Sequence, residues 1–135
     1  PDRLLTPSNG AKRFLSRAMA HDIAVDIHPV NNLRVLQYLS DKLEIKDAEK
    51  NTWYKHWVEV GFEALEQRLR VSSGEFCIGN EVSIADVCLV PQVYNAIRFD
   101  VDITRFPSID RLYKSLNQWS AFAEAAPELQ HDADL

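Results

Sequence analysis

With 135 residues, 46 % of them hydrophobic and 26 % charged, the chain has the proportions of one globular domain that buries about two-thirds of its unfolded surface, which excludes a disordered chain. Its 15 Lys and Arg against 20 Asp and Glu give a net charge of −5 with no basic block, so nucleic acid, whose phosphates require clustered cations, is not an expected partner. No apolar run approaches the roughly 18 residues of a membrane span, and no His, Cys and carboxylate grouping has metal-ligand spacing.

Residues 1–10 read as a linker, with Pro7 and Gly10 as breakers and Ser8 or Asn9 as a helix N-cap. The opening "PDRLLTPSNG" has neither a Met nor the basic and apolar regions of a signal sequence, as expected of a stretch inside a longer product. Phe14, Ala18, His21 and Val25 recur at helical spacing and predict a helix from about Ala11 to Ile27 with that stripe inward, which makes His21 a core histidine. Pro29 biases His28 away from the α region and predicts that the helix ends or kinks there. A second helix, about Asn32 to Leu43, follows with Leu33, Leu36, Leu39 and Leu43 and with Asn32 as its cap.

From Asp47 to about Val71 a long helix carries two rows, Trp53, Trp57, Val60, Ala64 and Phe62, Leu65, Leu69. Gly61 in its middle costs about 1 kcal/mol against Ala and predicts a close helix crossing. "SSGEFCIGNE" is a loop; Cys77 and Cys88, eleven residues apart without a CxxC motif, read as small buried hydrophobes in a reducing, cytoplasmic setting. Two short helices, around Ile109 to Leu116 and Trp119 to Ala126, precede a polar, frayed tail at 127–135. Trp53, Trp57 and Trp119 are expected in core or interface packing. With no period-2 run long enough for a sheet, the class is all-α.

The segment "EVSIADVCLVPQVYNAIRF" is the most informative. Ser83 and Asp86 have the spacing of a reciprocal capping box, and Val82 and Val87 that of a hydrophobic staple. Behind them the sequence is apolar on nearly every side except at Asp86 and Gln92, which predicts a buried central helix over about 83–99, kinked by Pro91.

That box, behind "G-x-E-V" and ahead of a buried helix, resembles the N-capping box of the glutathione transferase C-terminal domain. "DIHPVNNLRVLQYL", "FCIGNEVSIADVCLVPQVYNAIRF" and "DVDITRFPSI" are similar to the zeta class, the maleylacetoacetate and maleylpyruvate isomerases, and the similarity runs from the "P-x-x-LL-x-P" linker to "PELQ". It departs at the tail, where Ala126 and His131 stand in place of the His and Pro of "HPxxQPD". The resemblance implies a helical bundle over 11–126, a homodimer, and an N-terminal thioredoxin-like domain with a Ser-Ser-Cys motif that nothing in this chain matches.

It also implies glutathione as cofactor and cis–trans isomerisation of a small conjugated dicarboxylate in aromatic amino acid catabolism. A thiolate adds to the double bond, rotation follows, and elimination returns the thiolate; the activating groups belong to the other domain, so no catalytic residue is expected here. Arg98, in "NA-x-RF", is the implied substrate-carboxylate ligand and Arg34 a second cation; His28 and Asn32 are implied at the glutathione site. The residues alone leave other readings open. Arg98 also suits a helix C-terminus, paired with Asp100 or Asp102, and His28 and Arg34 suit exposed helix positions. A detoxifying transferase or dehalogenase on the same scaffold and a non-enzymatic helical interaction domain are the competing functions, since a fold does not fix a function.

Overall fold

The computed structural model describes residues 5–131 and 133; the first four residues of the linker and the end of the tail lie outside the described residues. Among the described residues seven α-helices follow in order, α1 Gly10–His21, α2 His28–Asn31, α3 Leu33–Asp41, α4 Asp47–Ser72, α5 Ile84–Arg98, α6 Pro107–Leu116 and α7 Ser120–Ala123, with short 3-10 turns at Ile103–Arg105 and Pro127–Leu129. Among the described residues the only β pairing is two isolated bridges, Ser73 with Gly79 and Phe76 with Gly79, so the chain is an all-α bundle.

Proline does not end the first helix. A π-helical stretch, Asp22–Ile27, joins α1 to α2, and His28 keeps helical angles with its N–H donating to the Ile23 carbonyl five residues back. The wider turn tolerates a residue without an N–H at Pro29, and π-turns serve this purpose in otherwise regular helices. The break comes at Asn32, whose extended backbone starts α3 and whose Oδ1 accepts the Val35 N–H at 3.3 Å. The predicted cap is therefore present, while the predicted boundary moves from His28 to Asn32.

One stripe points the other way from the expectation, and of the two rows on α4 one is chosen. Phe14 and Val25 are 72 % and 66 % exposed, and His21 is also at the surface and not in the core. The inward face of this helix is instead Ser16, Met19, Ala20, Ile23 and Ile27. In α4 the second row is the core face, extended by Tyr54 and Val58, whereas Trp57, Val60 and Ala64 are exposed. Both choices follow from one contact. A Cβ on Gly61 would lie 2.7 Å from Ile27 Cδ1 and closer still to its Cγ1, so the π-helical stretch and α4 cross backbone against side chain at the glycine. That crossing turns Ile27 and Ile23 inward and leaves Phe14 and Val25 outside. Trp53, half-buried, ties the same helices together through its Nε1–H to the Val30 carbonyl at 2.9 Å.

The α5 helix is central but not enclosed. Ala85, Leu89, Val93 and Ala96 are buried, and so are Asp86 and Gln92, the two positions expected to be its polar exceptions. Its opposite side, with Ile84, Val87, Pro91 and Arg98, is open. Pro91 sits on that open side and the helix runs unbroken through it. Cys77 is buried; Cys88 is only half-buried.

Two buried carboxylates fix the helix starts. The Ser83–Asp86 capping box is formed. Asp86 Oδ2 accepts the Ser83 N–H at 2.8 Å and its hydroxyl at 2.9 Å, while Oδ1 accepts the Cys77 N–H at 2.8 Å, so the loop and the helix share one carboxylate. Glu66, 4 % exposed on α4, does the same for α6, accepting the N–H groups of Ser108 at 3.0 Å and Ile109 at 3.1 Å. Burial pushes the Glu66 carboxyl up. The Ser108 and Ile109 N–H groups and Arg70 outweigh that and hold it below its ordinary value of 4.5.

Ser83→Ala should cost about 1 kcal/mol in urea unfolding, since it removes a capping hydroxyl. Asp86→Ala should cost on the order of 3 kcal/mol, because two buried N–H groups lose their acceptor together. Glu66 has a folded pKa below its unfolded one, so its contribution is complete above the unfolded value and is lost as pH falls through the folded one. Glu66→Gln should lower stability by about 2 kcal/mol near pH 7, and the deficit should shrink toward zero on acidification below pH 4. Unfolding midpoints measured across pH check both the sign and the window.

Candidate functional site

Because α5 leaves one side open, α6, α7 and the chain after α7 enclose a cavity of about 610 Å³ against it. Val87, Val90, Tyr94 and Arg98 line it from α5, Tyr113 from α6 and Phe122 from α7. The walls are mainly apolar, and Arg98 is the one cationic side chain among the lining residues. Concave, apolar sites with a few convergent polar groups are where small ligands bind.

Arg98 lies in the last turn of α5, its guanidinium carbon 5.9 Å from the centre of the Tyr94 ring one turn earlier. Among the described residues no carboxylate lies within ion-pair distance of it. The partners expected for a purely structural role are otherwise placed. Asp102 Oδ1 accepts the Thr104 N–H at 3.1 Å and its hydroxyl at 2.6 Å. Asp100, at φ 56°, forms the left-handed residue that ends the helix, a conformation Asp tolerates better than most. Tyr54 lies near the same end, stacked on Phe99 at 3.8 Å. Its phenol is pushed up to about 12 by burial, partly offset by the positive charge of Arg98.

Tyr94 adds a polar contact across the cavity mouth, its hydroxyl donating to Glu128 Oε1. That bond to a carboxylate raises the phenol pKa and lowers that of Glu128. Glu128 is not recognisable at this place from its local residues, because its position depends on how the tail folds back. The tail was expected to fray; up to residue 131 it instead forms turns, with Gln130 Nε2 donating to the Glu124 and Ala126 carbonyls at 2.9 and 3.1 Å.

The other residues named from sequence are not brought to this cavity. His28 and Arg34 are exposed on α2 and α3, and Asn32 is half-buried at the break between them. Asn32 Nδ2 donates to the Pro29 carbonyl at 3.1 Å, so its amide serves the helix break at both ends. None of the three lines this cavity or the second one, about 660 Å³ between the linker and α1. Arg13 and Arg17 line that second space, where Arg13 donates to the Pro7 and Ser8 carbonyls at 3.1 and 3.0 Å and anchors the linker. Among the described residues no cluster of His, Cys, Asp and Glu is placed to hold a metal ion, and no helix is long and apolar enough to cross a membrane.

Comparison with known proteins places this arrangement. Residues 30–131 match the family model for the glutathione S-transferase C-terminal domain. A probable maleylacetoacetate isomerase of Vibrio cholerae is 55 % identical over 133 residues, which cover 98 % of this chain and 62 % of that protein. The holo structure of a bacterial zeta-class maleylpyruvate isomerase matches with a TM-score of 0.94 at 38 % identity, over 98 % of this chain and 64 % of that one. A maleylacetoacetate isomerase of Anaeromyxobacter dehalogenans, solved with dicarboxyethyl glutathione and citrate in its active site, matches with a TM-score of 0.92 at 31 % identity, over 100 % of this chain and 61 % of that one. The chain thus spans about three-fifths of the length of these relatives. By sequence and by fold, it belongs to the zeta-class glutathione S-transferase family, as its C-terminal helical domain.

Proposed function

We propose that this chain is the helical half of a glutathione-dependent isomerase that turns the cis double bond of maleylacetoacetate or maleylpyruvate to trans. The observation that carries the reading is Arg98, a guanidinium without a carboxylate partner among the described residues, in the wall of a mainly apolar cavity. Its fork binds both oxygens of a carboxylate, and Val87, Val90 and Phe122 offer apolar contact to the hydrocarbon between two carboxylates. Arg34, exposed on α3, is the second cation of this reading. The citrate and the glutathione conjugate in the active site of the Anaeromyxobacter relative support a site for carboxylates beside glutathione.

The residues assigned to glutathione suit a peptide. His28 presents an exposed imidazole, and Asn32 spends one amide proton on the Pro29 carbonyl and keeps a second to donate. Glutathione, when bound, supplies the thiolate that adds reversibly to the double bond. The work left to this chain is to hold the substrate carboxylate at Arg98, to orient the carbon skeleton against the apolar wall, and to offset negative charge that develops on the substrate.

The reading extends to a homodimer in the cytoplasm. Three large apolar side chains exposed between α1 and α3, Phe14, Val25 and Leu33, support a protein contact on this part of the surface. Two free thiols, Cys77 and Cys88, support a reducing compartment.

In the full-length enzyme, Arg98→Ala should raise the KM for the dicarboxylate on the order of a hundredfold, the loss of a charge-assisted pair of hydrogen bonds, while that for a neutral haloalkane stays within about twofold. Equal effects on both substrates would reduce Arg98 to a structural residue and favour the dehalogenase reading. The 135 residues alone should show no isomerase turnover with glutathione and maleylacetoacetate; measurable turnover would overturn this division of labour.

A further inference from the structure

The chain after α7 is held to the rest of the molecule by very little. Among the described residues, the backbone N–H groups of 124–131 bond only within that segment or to α7, and Gln130 likewise bonds within it. Its single hydrogen bond to the body of the bundle is the one from the Tyr94 hydroxyl to Glu128. Ala126 and Pro127 of the same segment form part of the cavity wall. The one tether therefore ends on the ring that carries Arg98 on its face, 5.9 Å away. A carboxylate is thus the group that the tail presents to the ring against which that cation packs, without an ion pair to Arg98.

We propose that residues 124–130 are a strap across the cavity and that Glu128 is an internal competitor for the carboxylate site at Arg98, set aside when a ligand carboxylate enters. The inference rests on the reading of Arg98 given above and adds a specificity-determining residue to it. An exposed tether of this kind is weak, which is what a reversible strap requires. It also discriminates. A ligand carboxylate held at Arg98 repels the like-charged Glu128 from its place on Tyr94, whereas a neutral molecule of the same shape leaves it there. The negative charge of Glu128 bears on Tyr113 as well as on Tyr94, so its departure changes the electrostatics of both phenols in the wall.

The test titrates this chain with maleate, read by calorimetry and by tryptophan fluorescence, since Trp119 lies in the cavity wall. Wild type is compared with Glu128→Gln, Tyr94→Phe and Arg98→Ala. Glu128→Gln and Tyr94→Phe should each bind maleate about two- to fivefold tighter, the range of an exposed polar pair, and should exchange the amide hydrogens of 124–130 faster without ligand. Arg98→Ala should weaken maleate binding about tenfold or more. If Arg98→Ala weakens binding while the other two leave affinity and exchange unchanged, the strap is wrong and the carboxylate site stands. If Arg98→Ala leaves binding unchanged, or if neither wild type nor Glu128→Gln binds maleate, the site at Arg98 falls and the competition falls with it.

Discussion

The fold hangs on a carboxylate taken out of water. Asp86 is fully buried at the start of α5, a placement that is costly unless every oxygen is used. Here both are used, by the N–H and hydroxyl of Ser83 and by the N–H of Cys77, next to the positive end of a helix dipole. The arrangement fixes three things together: the first turn of α5, the loop before it, and the rotation that aims Tyr94 and Arg98 at the open side. The linker joins the same point, since the Ile84 N–H donates to the Leu5 carbonyl at 2.8 Å. Glu66 repeats the device at α6, but from a helix more than forty residues earlier, so its hydrogen bonds hold α4 and α6 in register.

A second constraint is geometric. Ile27 fills the space that any side chain at position 61 would need, and the π-helical stretch that positions Ile27 also lets Pro29 sit inside a helix. The two features belong together. A regular helix through residue 29 would press the proline ring against the carbonyl four residues back, and the added residue in the wider turn removes that conflict while keeping the inward face continuous from Met19 to Ile27. The helix therefore ends three residues later, at Asn32, where a side-chain amide takes over the role of the missing backbone partner.

How much of this was legible follows from the range of each interaction. The capping box, the Asn32 cap and the Gly61 crossing were readable because each rests on residues a few positions apart or on a side chain that is missing altogether. Stripe direction was not. On the first helix the row of Phe14 with Val25 was the wrong choice, and on α4 the two rows were left undecided, because closeness of approach at Gly61 and not side-chain size decides what faces inward. Arg98 was singled out through a motif, yet that no carboxylate among the described residues pairs with it depends on Asp102 being engaged with Thr104. Glu66 and Glu128 passed unnoticed, since an acidic residue in a helix or a tail looks solvated until its distant partner is known.

The sequence by itself determined the all-helical class, the start of the central helix, the membership of a transferase family and the choice of Arg98 as the candidate carboxylate ligand, all matters of local spacing and residue chemistry or of motif. The tertiary structure alone decided which faces are buried, that α5 keeps one side open, and that the tail returns to lay a carboxylate against Tyr94. The reason is physical: caps and breaks are settled over three or four residues, whereas the direction of a face and the walls of a cavity depend on surfaces that folding brings together from opposite ends of the chain.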